Sequence, residues 1–294
     1  ILLNLRYPAL TPSVRRLLSL MLPAVVGAGV VQLNLVVDMI IACLLRGGSV
    51  SQLFYADRIA QLPLGVIGVA MGIALLPSLS RQVAAGDGES ALATQNQAIE
   101  FSLIFAIPAS LGLLIIAEPV IYVLFERGAF TAVDTSTTAA VLAAYALGLP
   151  AFILIKVLAP GYFARKDTRT PVQIAILALL VNVVLNILLM GPLGVAGIAL
   201  ASSVASWLNA GLLGWGLRRR RFFVPEPALV LRIGKLFLAG LLMATYLGIA
   251  QKYLFAELLG GPISNALTLI FLVVTGAGIF ILVSVCLGGL KWQY

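Results

Sequence analysis

The sequence predicts an all-α polytopic membrane protein with eight transmembrane helices, and two observations carry this prediction. The first is composition: 61% of the 294 residues are hydrophobic, 10% are charged, and the mean hydropathy is +1.09. The second is the recurrence of apolar runs of about 20 residues, the length of helix that crosses a bilayer. These runs lack the period-two alternation of barrel strands, so helices must satisfy the backbone N–H and C=O groups in lipid.

Residues 1–16 predict an amphipathic linker that approaches the membrane. This segment mixes apolar residues with arginines and prolines. It lacks the order of charged region, apolar core and cleavage site that marks a signal peptide. Because the first residue is Ile rather than Met, we expect the sequence to be a piece of a longer protein.

Apolar runs bounded by Pro, Gly and charged residues predict the spans. They cover residues 17–45, 55–80, 98–117, 137–164, 171–190, 193–217, 230–253 and 264–289. The apolar stretch from Pro119 to Leu124 is too short to cross and is expected to lie at the membrane interface.

The distribution of Lys and Arg predicts the orientation. If the first span begins in the cytoplasm, fourteen of these residues lie on the cytoplasmic side and only Arg46, Arg127 and Lys252 lie on the other. This asymmetry places both termini of the sequence in the cytoplasm. The run Arg218–Arg221 is typical of a topology anchor that also meets anionic lipid, with a specific headgroup site as the alternative. Nucleic acid is not expected as a partner.

Arg58 is a candidate functional residue, because a cation inside an apolar run is costly unless it faces a polar cavity. Gln61 follows one helical turn later and shares its face, whereas Asp57 is expected to point about 100° away. A guanidinium presents a planar fork of donors that suits a phosphate or pyrophosphate. The structural alternative is an Arg that pairs with Asp57 or another helix, or that reaches the near interface.

Lys156 is the second candidate cation. It lies near the middle of the fourth span, roughly 13 Å along the helix from Arg165 and the cytoplasmic charges. A lysine stem does not span that distance comfortably, so we expect Lys156 to face an aqueous cavity. The alternative is a structural pair with a carboxylate of another helix.

Oxygen-bearing side chains form a third candidate site: Asp38 in the first span, Asn182 and Asn186 one turn apart in the fifth, and Ser202, Ser203 and Ser206 in the sixth. Carboxylate, amide and hydroxyl oxygens suit Na⁺ or a similar small cation. Amides and hydroxyls also hold membrane helices together without any ion, and the residue types alone leave both interpretations open.

Composition and motifs argue against an enzyme. The chain has no His, which removes the Ser–His–Asp arrangement and most zinc sites. Its two cysteines, Cys43 and Cys286, lie in separate apolar runs and predict no disulfide framework. A polyprenyl-phosphate transferase remains the enzyme alternative, but the clustered acids that such an enzyme uses to hold Mg²⁺ are absent from the sequence.

Three stretches of the sequence resemble the MurJ (MviN) family of lipid II flippases. They are residues 55–70 (YADRIAQLPLGVIGVA), 76–81 (LPSLSR) and 156–171 (KVLAPGYFARKDTRTP). The resemblance implies a fourteen-helix transporter of the multidrug/oligosaccharidyl-lipid/polysaccharide exporter superfamily, with two six-helix lobes and two further helices. This sequence would then start at the linker before the seventh helix, and the first lobe would be missing. Another exporter of the superfamily, for a drug or a polyprenyl-linked glycan, is the alternative.

The same resemblance implies a division of the chain. Residues 17–217 would form the C-terminal transporter lobe and residues 218–229 a basic cytoplasmic loop. Residues 230–294 would hold two tail helices that form a groove for the polyprenyl tail. The implied setting is the bacterial inner membrane, and the implied partners are lipid II, membrane lipids and the first lobe.

The resemblance also implies roles for residues. Arg58 would line the central cavity that takes the lipid II pyrophosphate, and Asp38, Asn182, Asn186 and Ser202 match a sodium site of some family members. One departure matters, because the amide of Asn186 replaces a second acidic ligand. With one fewer negative charge, the site is expected to hold a cation more weakly. Apart from Na⁺, no cofactor is implied.

Overall fold

The structure is a computed structural model that describes residues 32–257 and 262–289, together with residues 11, 15 and 29. This part of the chain is helical throughout and contains no strand. Its helices are α1 (Gln32–Cys43), α2 (Ser49–Pro63), α3 (Ala70–Ala84), α4 (Gly88–Ile115), α5 (Ala117–Phe125), α6 (Ala132–Phe163), α7 (Arg169–Leu193), α8 (Val195–Arg219), α9 (Pro227–Glu257) and α10 (Pro262–Cys286). A π-helical segment, Leu64–Val69, joins α2 to α3.

Seven helices of the described residues are long and apolar enough to cross a membrane, with α2, the π segment and α3 counted as one helix of 36 residues. These seven coincide with the predicted spans from 55–80 onward, which confirms the predicted fold class. Residues 17–28, 30 and 31 of the predicted first span, 17–45, and most of the predicted linker lie outside the described residues, and α1 makes up most of the described part of that span. The short apolar helix expected near Pro119 is α5, of nine residues.

Helix α6 lies at the centre of the bundle and contacts α2, α3, α4, α5, α7 and α8. Its buried residues include Leu142, Leu149 and Ile153, which have no exposed surface. Small residues let the neighbouring helices approach closely: a Cβ at Gly148 would collide with the side chain of Ser203 on α8. The tail helices α9 and α10 pack on each other and on α4.

Pro150 interrupts the backbone hydrogen bonds of α6, and another helix repairs the gap. A proline has no N–H, so the carbonyl four residues earlier, that of Ala146, has no donor within the helix. The Ser110 hydroxyl on α4 donates to this Ala146 oxygen at 2.7 Å, and the bond is buried. The repair ties α4 to α6 and allows a proline inside a membrane helix.

The π-helical segment begins where Pro63 ends α2. Because Pro63 cannot donate to the carbonyl four residues earlier, the helix is free to widen at this point, and π segments are frequent at functional sites. The segment faces α6 and carries Gly65 and Gly68 into that contact. The change of pitch alters the direction in which α3 side chains point relative to those of α2.

The pairing of Ser110 with the Pro150 gap gives a double-mutant prediction. Ser110→Ala should destabilise the protein by about 1 kcal/mol, because it leaves a buried carbonyl without a donor. In a Pro150→Ala background the same change should cost much less, since residue 150 then supplies the missing N–H. Thermal unfolding of the four proteins in detergent measures the difference. Equal costs in both backgrounds would show that Ser110 does not serve the proline gap.

Candidate functional site

A cavity of about 470 Å³ opens between α1, α2, α6, α7 and α8. Helix α7 contributes only apolar residues to its wall, whereas α1, α2, α6 and α8 each contribute polar or charged groups. The polar and charged lining residues are Asn34, Asp38, Asp57, Gln61, Tyr145, Lys156, Ser202, Ser206 and Asn209. A cavity with both acidic and basic groups in an otherwise apolar bundle is the expected form of a transport site.

Four of the predicted oxygen-bearing side chains meet at one edge of this cavity. The Asn186 amide nitrogen donates to Asp38 Oδ1 at 2.6 Å and to Asn182 Oδ1 at 2.9 Å. The Ser202 hydroxyl donates to Asp38 Oδ2 at 2.9 Å and accepts from the Asn182 amide at 2.9 Å. All four residues are buried, so the Asp38 carboxylate relies on these donors instead of water. Three helices, α1, α7 and α8, therefore meet at one charge.

The amides of this cluster can take a second orientation. With the Asn182 amide reversed, its oxygen accepts from Ser202 Oγ at 2.9 Å and its nitrogen donates to Asp38 Oδ1 at 3.1 Å and to Asn34 Oδ1 at 3.1 Å. The reversed nitrogen then lies 2.9 Å from the Asn186 nitrogen, so two donors face each other and Asn186 must reverse as well. That second reversal brings the Asn186 oxygen against an Asp38 oxygen, and two acceptors at such a distance require a cation or a proton between them.

One atom of the cluster is already unpaired. Asn186 Oδ1 is buried and has no hydrogen-bond partner among the described residues. An orphaned buried acceptor in a ring of oxygen ligands fits a cation. As oriented here the Asn186 amide nitrogen occupies the place next to the carboxylate and the Asn182 nitrogen donates to Ser202, so the same residues also satisfy one another without an ion.

The contact between the side chains of Asp57 and Gln61 on α2 differs from the prediction. Gln61 donates a hydrogen bond to Asp57, and both residues line the cavity. The expectation that Asp57 points away from Gln61 is therefore wrong. A spacing of four residues brings two side chains onto one face as well as a spacing of three does, and here the carboxylate and the amide form the closer contact.

Arg58 is exposed and is not among the residues that line this cavity. Its guanidinium lies 4.6 Å from the centre of the Phe54 ring, and its Nη1 is 3.4 Å from Gln61 Oε1. No carboxylate of the described residues forms an ion pair with it within 4.0 Å. Arg58 thus stands next to the cavity on the open side of α2, with its donors largely unused.

Lys156 lines the cavity from α6 and is exposed to it. The π segment shapes its position: a Cβ at Gly68 would lie 2.8 Å from the Lys156 Cδ. The absence of a side chain at Gly68 therefore makes room for the lysine stem. No acidic residue of the described part forms an ion pair with Lys156 within 4.0 Å.

Sequence reasoning missed three polar cavity residues, Asn34, Asn209 and Tyr145. Ser202, Ser206 and Asn209 follow each other at spacings of four and three, which puts them on one face of α8. That spacing could have identified Asn209, whose Oδ1 is buried without a partner in the described part of the chain. Nothing in the sequence distinguishes Tyr145 from other aromatic core residues.

Comparison with known proteins places these features in a family. The family model for the lipid II flippase MurJ matches residues 1–272. A Rhizobium meliloti (strain 1021) protein named "Probable lipid II flippase MurJ" is 43% identical over 289 residues, which cover 98% of this chain and 54% of the relative. The lipid II flippase MurJ of Burkholderia cenocepacia is 39% identical over 216 residues, or 74% of this chain and 42% of the relative.

Solved structures agree with the sequence comparison. A structure described as lipid II flippase MurJ in an inward closed conformation matches with a TM-score of 0.72 and 28% identity, and the match covers 96% of this chain and 56% of that one. An outward-facing multidrug resistance MATE transporter of the MOP superfamily matches with a TM-score of 0.60 at 18% identity, which shows the shared fold alone. The chain spans about half the length of the curated relatives it matches.

Proposed function

Because the chain belongs to the family of the lipid II flippase MurJ, we propose that it forms one lobe and the tail helices of a lipid II flippase. The flippase would move the undecaprenyl-pyrophosphate-linked peptidoglycan precursor from the cytoplasmic to the periplasmic leaflet of the bacterial inner membrane. The cavity between α1, α2, α6, α7 and α8 is the observation that supports transport, since it brings cationic and acidic groups to the middle of a membrane bundle.

The cations near the cavity fit an anionic, diphosphate-bearing substrate. Lys156 reaches the cavity, and Arg58 stands on the neighbouring open face with free donors. In a low-dielectric setting, such charges attract a pyrophosphate much more strongly than they do in water. We assign Lys156 to charge neutralisation, and Arg58 to bidentate binding that Gln61 orients through its contact with the guanidinium.

Alternating access requires two lobes that rock around a shared cavity, and the exposed side of α2 is the surface where a first lobe would close it. The chain is therefore proposed to act together with such a lobe, with its basic loops in the cytoplasm. Family membership favours this transporter over a polyprenyl-phosphate transferase.

The oxygen cluster is proposed to bind Na⁺. When bound, the ion would supply the positive charge that lets the amide oxygen of Asn186 lie against Asp38. Asp38, Asn182, Asn186 and Ser202 would hold it, and the orphaned Asn186 oxygen supports this assignment. Since Asp38 is the only carboxylate of the four, binding is expected to be weak.

The lobe proposal predicts the activity of reconstituted protein. The chain alone in proteoliposomes should not translocate lipid II, because half of the cavity wall is missing. Co-reconstitution with the amino-terminal part of a relative such as the Rhizobium meliloti protein should restore translocation, measured by the accessibility of labelled lipid II at the outer leaflet. Empty liposomes and the amino-terminal part alone are the controls, and translocation by the chain alone would contradict the proposed architecture.

Bidentate binding by Arg58 predicts that a positive charge at this position is not by itself enough for lipid II translocation. In a two-lobe protein, Arg58→Lys and Arg58→Ala should both lower the translocation rate by about tenfold or more, or ~1.4 kcal/mol, because neither keeps the fork. Arg46→Lys, at another exposed arginine, should leave the rate unchanged. Immunoblots of the membranes must show equal abundance. Normal translocation by Arg58→Ala would return this residue to a structural role.

The sodium assignment predicts how two substitutions in the cluster change stability. Na⁺ should raise the melting temperature of the parent above that in K⁺ at equal ionic strength. Asp38→Asn should abolish this sodium-specific rise, and Asn186→Asp should enlarge it by adding a charge. If the cluster only joins helices, Asp38→Asn costs little and Asn186→Asp destabilises the protein in both salts, since it buries an uncompensated charge. Absence of any sodium-specific rise in both parent and Asn186→Asp would exclude the ion.

A further inference from the structure

A second concave site lies between α7 and α8, far along both helices from the oxygen cluster. This α7–α8 groove has a volume of about 560 Å³ and is lined mainly by Gln173, Ile174, Leu177, Leu212, Trp215 and Arg219. It lies where α7 begins and α8 ends, at the level of the basic run 218–221. Arginine side chains line the rim of the groove, and the aliphatic side chains of Ile174, Leu177 and Leu212 form its floor. The groove is therefore amphipathic.

The groove faces away from the transport cavity. On α7 the cavity is lined by Ala175, Ala178 and Leu179, whereas the groove is lined by Gln173, Ile174 and Leu177. At 100° per residue the mean directions of these two sets lie more than about 140° apart around the helix, and the sets adjoin where Ile174 and Ala178 are one turn apart. The groove therefore opens on the lipid-facing side of the bundle, and a molecule in it would be separate from the proposed transport substrate.

The positive charge of the groove comes mostly from Arg219. Arg220 forms an ion pair with Asp167 and also donates to Thr170 at 3.1 Å, so its charge is compensated. Burial raises the pKa of Asp167, but hydrogen bonds from Thr170 and Arg220 outweigh it and the pKa is lowered overall, which keeps this ion pair charged at neutral pH. Arg219 has no carboxylate within 4.0 Å among the described residues.

Trp215 places the groove at the membrane boundary. Its ring is 59% exposed, and the Arg219 guanidinium lies 5.4 Å from its centre. Tryptophan is enriched at the level of lipid headgroups, and its contact with Arg219 holds the cation beside the groove. The amino end of α7 does not add an anion site, because Asp167 already accepts the Thr170 backbone N–H at 3.0 Å.

We propose that the α7–α8 groove binds an anionic glycerophospholipid of the surrounding leaflet, with Arg219 on the phosphate and the aliphatic floor along the first part of an acyl chain. Charge complementarity supports an anion, because the rim offers an uncompensated arginine. The apolar floor of Ile174, Leu177 and Leu212 supports a lipid over a free phosphate, which would leave that floor exposed. Gln173 is placed to bond the glycerol hydroxyls of a headgroup such as phosphatidylglycerol.

Lipid-dependent thermal stability of the purified full chain tests the site. Dioleoyl-phosphatidylglycerol or dioleoyl-phosphatidylcholine is added to neutral detergent micelles, and the lipid fraction that gives half of the maximal rise in melting temperature is measured. Arg219→Gln should raise this fraction for phosphatidylglycerol by about five- to tenfold, as expected for the loss of one charge-assisted contact. Arg218→Gln removes the same charge from the adjacent residue outside the groove and should change it by less than about twofold.

Each other outcome would overturn the proposal. Equal effects of Arg218→Gln and Arg219→Gln would show a diffuse basic surface, and equal stabilisation by phosphatidylcholine would show no headgroup selectivity. Full stabilisation by excess glycerol phosphate would show a free-anion site. Arg219→Gln could also lower the melting temperature in the absence of lipid, and in that case Trp215→Leu is the deciding variant. Trp215→Leu should raise the phosphatidylglycerol fraction needed for half of the maximal stabilisation about threefold, because it removes the contact with the arginine. An unchanged fraction in Trp215→Leu would overturn the site.

Discussion

Burial of the Asp38 carboxylate is the constraint on which the arrangement of α1, α7 and α8 depends. A charge removed from water without partners costs several kcal/mol, so the helices that surround Asp38 must supply donors. They do so with the Asn186 amide from α7 and the Ser202 hydroxyl from α8. Because these donors come from two helices and the carboxylate comes from a third, the carboxylate can be satisfied only when the lobe is assembled in this register.

The same rule governs α6, the central helix. Several carbonyls of its backbone accept hydrogen bonds from side chains of neighbouring helices: Ser110 donates to Ala146, Ser203 to Ala144, and Gln95 to Val157. Lipid cannot provide these bonds. Polar residues of α4 and α8 are thus used to position α6, and α6 in turn carries Lys156 into the cavity. The hydrogen bonds that hold the lobe together therefore also position Lys156.

The sequence predicts correctly those features that the lipid hydrocarbon constrains. The spans follow from hydropathy, and Asp38, Asn182, Asn186 and Ser202 could be grouped because polar side chains at membrane depth must find one another. The sequence does not predict side-chain contacts for which two arrangements are nearly equal in energy. Asp57 and Arg58 are adjacent, Gln61 can face either one, and the outcome depends on which side of α2 is covered. The π segment was also unforeseen, since a widened turn after Pro63 has no periodicity of its own.

The proposed ion and the proposed substrate share one cavity, and this has an electrostatic consequence. A cation at Asp38 would cancel a carboxylate that otherwise opposes an anion in the same low-dielectric space, so the cavity, which also holds Asp57 and Lys156, would become less negative. An anionic headgroup would then bind more tightly with the ion present, and by thermodynamic linkage the ion would bind more tightly with the headgroup present. Reversal of the Asn186 amide would give this coupling a local switch, because its nitrogen donates to the bare carboxylate and its oxygen would face a bound ion. A single buried acid with one reversible amide partner would therefore be sufficient to tie ion occupancy to substrate affinity.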